Sequence, residues 1–137
     1  MIAILDTNVL ISALLYPRSL PADVLARWGQ RQFALVTSEE QIHELRRVSR
    51  YPKVAYRLTP SKTGNLVKRL RKAAQMLDHL PTIDECRDPM DNYLLAMAYS
   101  AGANYVVTGD KADLLAMQTF GSTKIVSVRD FAAILNR

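Results

Sequence analysis

Four acidic residues in this chain have the context of a metal-assisted site, and two of them stand where an apolar run stops. Ile2-Ala3-Ile4-Leu5 leads into Asp6, and Tyr105-Val106-Val107-Thr108-Gly109 leads into Asp110. A continuous apolar run bounded by a turn is the pattern of a central strand in a parallel sheet, where helices cover both faces and no alternation survives. Ligands of such sheets bind beyond the carboxyl ends of the strands, where Asp6 and Asp110 fall. Like charges converging there repel, so a divalent cation between them is the first candidate, against the plainer role of two helix N-caps. Asp91 lies three and four residues before Leu94 and Leu95 and extends a buried helical stripe one turn outward. Glu44, flanked by Ile42 and Leu45 and one turn before Val48, has the same phasing; its plainer role is an exposed pair with Arg47. Oxygen-only ligands select Mg²⁺ or Mn²⁺. Carboxylate-held hard metals, a water left in the shell and a basic flank point to phosphodiester chemistry.

The elements that must position these residues can be read along the chain. After the first strand, Val9 to Leu15 reads as a short helix, and Pro17 with Pro21 separates it from a second, roughly Ala22 to Gln30. Phe33 to Thr37 is a second strand, giving a strand-helix-strand unit that must cross over right-handed, hence a parallel sheet. Ser38, with Gln41 three positions on, is a reciprocal capping pattern opening a helix to about Arg50. Tyr51-Pro52 breaks it, and Pro60-Ser61 precedes another helix with apolar positions at Leu66, Leu70, Ala73, Ala74 and Leu77. Asp88-Pro89 opens a further helix, with Asp88 as N-cap and Gly102 as its stop. Tyr105 to Thr108 is the third strand, Lys111 to Met117 a short helix, Lys124 to Ser127 a fourth strand and Arg129 to Leu135 a closing helix. The expectation is one domain over residues 1–137, a three-layer α/β/α sandwich around a parallel sheet of four to five strands.

The bulk properties exclude several classes. At 137 residues, 49% hydrophobic and 23% charged, the chain reads as globular. The apolar N-terminus lacks a basic leader and carries Asp6 and Asn8, and the longest apolar run, Tyr93 to Tyr99, is too short to cross a bilayer; a cytoplasmic protein is expected, with no membrane partner. Cys86 is the only cysteine, His43 and His79 belong to no zinc pattern, and there is neither a Gly-rich phosphate loop nor a Ser/His/Asp or Cys/His arrangement.

The net charge of +5 is unevenly spread. Leu45 to Leu77 holds ten Lys/Arg residues and no Asp or Glu, whereas the rest is net negative. A solvated helix face usually mixes signs, so this segment is a candidate binding surface for a polyanion or an acidic protein, with Arg46, Arg47, Arg50 and Lys53 as the contacts if that polyanion is RNA. Tyr51 and Tyr56 lie within it.

Together these residues resemble a PIN domain, a family of small metal-dependent ribonucleases, over essentially the whole chain. Ile4-Leu5-Asp6-Thr7-Asn8-Val9-Leu10-Ile11-Ser12 matches the opening motif, Glu44 falls in the helix after the second strand, Asp91-Asn92-Tyr93-Leu94-Leu95-Ala96-Met97-Ala98 matches the third and Val106-Val107-Thr108-Gly109-Asp110 the fourth. The resemblance implies that Asp6, Glu44, Asp91 and Asp110 bind one or two Mg²⁺/Mn²⁺ ions and that water cleaves RNA to 5′-phosphate and 3′-hydroxyl ends. It is nearest to toxins of bacterial toxin-antitoxin pairs, which implies an antitoxin partner and a homodimer. Many PIN domains carry a further acid two residues after the fourth; here Lys111 and Ala112 precede Asp113, which is auxiliary, as are Thr108 and Asn8. The alternatives are a housekeeping RNA-processing nuclease, a catalytically silent RNA-binding or interaction module, and phosphoryl transfer through Asp6 with Lys111 near the phosphate.

Overall fold

The computed structural model describes residues 1–109 and 112–137. The chain runs through β1 (Ile2–Leu5), α1 (Thr7–Leu15), α2 (Leu20–Gly29), β2 (Ala34–Ser38), α3 (Glu39–Ser49), α4 (Pro52–Ala55), α5 (Pro60–Ala73) and β3 (Gln75–Leu77). A 3₁₀ turn (Pro89–Asp91) then leads into α6 (Asn92–Ala101), followed by β4 (Tyr105–Thr108), α7 (Ala112–Met117), β5 (Thr119–Phe120), β6 (Thr123–Ser127) and α8 (Val128–Leu135). The sheet order is β3-β2-β1-β4-β6-β5, parallel throughout except for β5, which pairs antiparallel with β6. The chain winds outward from β1 to β3 and then returns to the other side of β1 as β4. The reversal of winding therefore lies between β1 and β4, the crevice where open α/β sheets take ligands.

Alternate strand residues go to opposite faces and meet two separate cores. Ala3, Leu5, Leu35 and Val107 pack with α1, α2, α3, α5 and α8 on one side. Ile4, Val36, Val106 and Ile125 pack with Leu94, Leu95 and Met97 of α6 and Leu114 of α7 on the other. Fully burying each large aliphatic side chain contributes on the order of 2 kcal/mol, which explains why β1, β2 and β4 read as unbroken apolar runs. Continuing the alternation past Ile4 and Val106 brings Asp6 and Thr108 to the α6 side.

Three sequence expectations need correcting in detail. The sheet has six strands, because the short β3 and β5 add one to each edge. Leu77 is in β3 and not on a helix: Ala74 turns extended at φ −86°, ψ 155°, and ends α5 at Ala73. The capping box at α3 is one-sided. Ser38 Oγ accepts from the Gln41 amide N–H, as expected. The Gln41 side chain, however, donates from Nε2 to the Leu5 carbonyl at 2.6 Å and accepts from Thr37 Oγ1 at 2.7 Å. The buried carbonyl at the end of β1 outcompetes the cap for that amide. No single helix among the described residues is long and apolar enough to cross a membrane.

Candidate functional site

Asp6 follows β1 directly and is 1% exposed. Its own N–H donates to the Val107 carbonyl at 2.9 Å, which continues the β1–β4 pairing one step and fixes the residue beside Thr108. Its carboxylate accepts from the Asn8 N–H at 3.3 Å, the N-cap bond of α1, and from Thr108 Oγ1 at 2.9 Å. Cap and site are thus not alternatives here: one oxygen caps the helix, while a buried hydroxyl from the neighbouring strand steers the other. Asn8 contributes its backbone, and its side chain is exposed.

Asp91 is 2% exposed. Asp88 caps the 3₁₀ turn through a 3.0 Å bond from Met90 N–H, and Asp91 is the last residue of that turn, immediately before α6. The anticipated cap is present, but a tight turn stands where one continuous helix was expected. Asn92 anchors this corner by accepting from the backbone N–H groups of Glu85 (3.2 Å) and Cys86 (2.8 Å).

Tyr93 joins the parts. Its hydroxyl lies 2.8 Å from Thr7 Oγ1, tying the start of α6 to the start of α1. Burial, reinforced by the negative charges of Asp6, Glu44 and Asp91, pushes the phenol well above its ordinary range, while the Thr7 hydrogen bond partly opposes this. Three separate stretches of the chain thus bring an acid within electrostatic range of the Tyr93 phenol. The sequence motifs do not mark Tyr93 as a site residue. The available signal is a hydroxyl inside the otherwise buried start of α6, where a polar group must find a partner.

Glu44 is three-quarters buried and is gripped by Arg47, whose Nη2 lies 2.7 Å from each carboxylate oxygen. Arg47 is in turn hydrogen-bonded to the Tyr51 hydroxyl and lies 5.4 Å from that ring's centroid. The plain Glu44–Arg47 pair is thus formed, and it sits at the margin of the Asp6/Asp91 region. Arg46, Arg47 and Arg50 line a groove of about 970 Å³ along α3 with Glu39, Glu40 and Glu44, so basic and acidic groups share it. Lys53 is exposed on α4. Arg71 pairs with Glu39, so two cations of the basic segment do find acids just outside it.

Asp110 and Lys111 lie outside the described residues. Asp113 is half-buried on α7, and its charge, with those of Asp91 and Asp88, acts on the buried Cys86 thiol. Among the described residues no three His, Cys, Asp or Glu side chains stand close enough to hold a cation by themselves. The donor chemistry nevertheless fits a hard divalent ion: Asp6 and Asp91 offer carboxylate oxygens at the switch point, with Glu44 adjacent and no nitrogen or sulfur ligand among the candidates.

The family model of the PIN domain matches residues 3–112, and the chain belongs to that family. PIN domains are generally nucleases and generally use divalent metals. An uncharacterized protein of Methanocaldococcus jannaschii is 27% identical over 116 residues, which cover 84% of this chain and 74% of that protein. The crystal structure of FitAcB from Neisseria gonorrhoeae matches with a TM-score of 0.51 and 22% identity, covering 94% of this chain and 99% of that chain. That likeness bears out the mostly parallel, helix-flanked sheet.

Proposed function

We propose that this chain is a metal-dependent endoribonuclease and the toxin of a toxin-antitoxin pair, acting through Asp6, Glu44, Asp91 and Asp110 with Mg²⁺ or Mn²⁺. The observation that carries the reading is the buried Asp6 carboxylate, held by Thr108 at the switch point of a PIN-domain sheet, with the equally buried Asp91 at the start of α6, which Tyr93 ties to Thr7. A divalent cation there would supply a water of lowered pKa and charge neutralisation for the phosphodiester. The protein's part is positioning. Thr108 and the Asn8 N–H hold the Asp6 carboxylate, Tyr93 ties Thr7 to α6, and Arg46 and Arg50 flank the groove for phosphates. Asp113 is auxiliary, and Asp6 and Asp91 together with Asp110 would chiefly hold the cation. The toxin assignment, with an antitoxin partner and a homodimer, rests on the resemblance to PIN toxins.

One observation favours a second reading, a silent RNA-binding module: Glu44 is already committed to Arg47. Mn²⁺ binding followed by calorimetry separates the two. The nuclease reading predicts binding that is lost in Asp6→Asn, together with metal-dependent RNA cleavage. RNA binding without Mn²⁺ binding selects the silent module.

A further inference from the structure

The basic segment does not all face the acidic site. Arg69 and Lys72, near the end of α5, and Arg31, just after α2, line a cavity of about 860 Å³ with Trp28, Gln32 and Phe33. Met1 and Ala34 also line it, so it lies at the opposite end of the sheet, beneath the start of β1 and β2. No Asp or Glu lines this cavity, and among the described residues none of its three cations takes part in an ion pair. Elsewhere Arg27, Arg47 and Arg71 each have a carboxylate.

The arrangement is also pre-set. The Arg69 guanidinium lies 5.2 Å from the centroid of the Trp28 ring, and its Nη2 stands 3.5 Å from where a Cβ on Gly29 would be. Trp28 is 6% exposed, so the stack fixes the cation over a rigid base. Arg31 has φ 62°, in the left-handed region where glycine is favoured after a helix, so a full charge stands where the backbone prefers no side chain. The plainer role is complementing the carbonyl ends of α2 and α5, both of which close on this cavity. Each end supplies about half a negative charge, so the pair offsets only about one of the three cations.

We infer that this basal cavity binds the phosphodiester backbone of an RNA strand, as a second contact point remote from the acidic edge. This inference rests on the proposed RNA substrate. The two ends of β2 are about 13 Å apart by strand geometry and the two sites lie beyond them, so only a strand of several nucleotides reaches from one to the other. Arg69 supplies a fixed two-pronged donor for a phosphate and a flat cation against which a base can stack, while Lys72 and Arg31 add charge.

Trp28 is the single tryptophan, so its fluorescence reads this cavity directly. The test titrates long single-stranded RNA into the full Asp6→Asn chain in EDTA, following Trp28 emission and the anisotropy of labelled RNA together. The same titration is run on that chain carrying Arg69→Gln and Lys72→Gln, with thermal melts to confirm folding. The expected result is a change in Trp28 emission on RNA binding, roughly tenfold weaker binding in the substituted chain, and a salt slope lower by about 1.4 for two lost phosphate contacts. With Asp6 intact, the same two substitutions leave cleavage of a short oligonucleotide unchanged. RNA that binds with no Trp28 response and equal affinity in both chains overturns the basal site and leaves the RNA reading standing. A full response to inorganic phosphate alone, at concentrations where RNA gives none, reassigns the cavity to a free anion. The same response to polyglutamate but not to RNA reassigns it to an acidic protein. No RNA binding by anisotropy removes this inference and the RNA reading together.

Discussion

Thr108 shows how much of this site depends on one hydroxyl. It is fully buried, and its Oγ1 donates to the Asp6 carboxylate at 2.9 Å. Thr108→Val keeps the shape and the β-branch but removes the donor. The expected outcome is a loss of about 10- to 100-fold in Mn²⁺ affinity or cleavage rate, the usual cost of removing a group that orients a metal ligand, with the fold retained by circular dichroism. Tyr93 gives a pH prediction of defined sign. Its folded value lies above the unfolded value of 10.0, so below about pH 10 the phenol is protonated in both states and costs nothing. As pH rises further the unfolded chain loses the proton first, so the native state binds more protons and stability falls, by up to about 1.4 kcal/mol per pH unit. Denaturant unfolding of the metal-free protein in EDTA should therefore show a steeper alkaline decline than Tyr93→Phe does. Equal declines would contradict the buried, acid-flanked placement of the phenol.

At the scale of elements, β1 and β4 are legible because parallel pairing and double-sided burial leave an unbroken apolar run, and the N-cap at Ser38 because its hydroxyl acts within its own turn. The side chain of Gln41 is not, for a long-range reason: its partner, the Leu5 carbonyl, is 36 residues away and invisible to local pattern. Replacing Gln41 with Leu strands that carbonyl and Thr37 Oγ1, and should cost about 2–3 kcal/mol in urea unfolding. The short edge strands β3 and β5, of three and two residues, carry too little pattern to be read. The stop at Gly102 is legible, and it is in the left-handed region at φ 59° with nothing within 4 Å of where a Cβ would stand. Gly102→Ala should therefore cost about 1 kcal/mol, all of it from the backbone, measurable as a lower midpoint without a change in slope. Of the candidate site, Asp6 is legible from its place at the end of an apolar run and Asp91 from its helical phase. Tyr93 cannot, because a hydroxyl's value depends on which acids the other elements bring to it.

At the scale of the molecule, the fold sets acids and cations side by side along α3 and gathers cations without acids at the base of the sheet. Carboxylates collect at the carboxyl end of β1 and near the adjoining starts of α3 and α6, while cations occupy α3, α4 and α5 and reach around to the base of the sheet. A polyanionic substrate approaching an acidic pocket needs such a flank to offset repulsion. Charge reversal at Arg46 and Arg50 should weaken RNA binding across sequences and flatten its salt dependence, leaving Mn²⁺ affinity at Asp6 unchanged. Whether the acidic edge is a metal-dependent nuclease site is decided by cleavage of a mixed structured and single-stranded RNA pool in Mg²⁺ or Mn²⁺, with EDTA and identically prepared Asp6→Asn protein as controls. Cutting should require the metal and fall by at least about 100-fold in the mutant. Equal cutting by both proteins, or RNA binding with no cutting by either in any metal, would contradict a nuclease site built on Asp6.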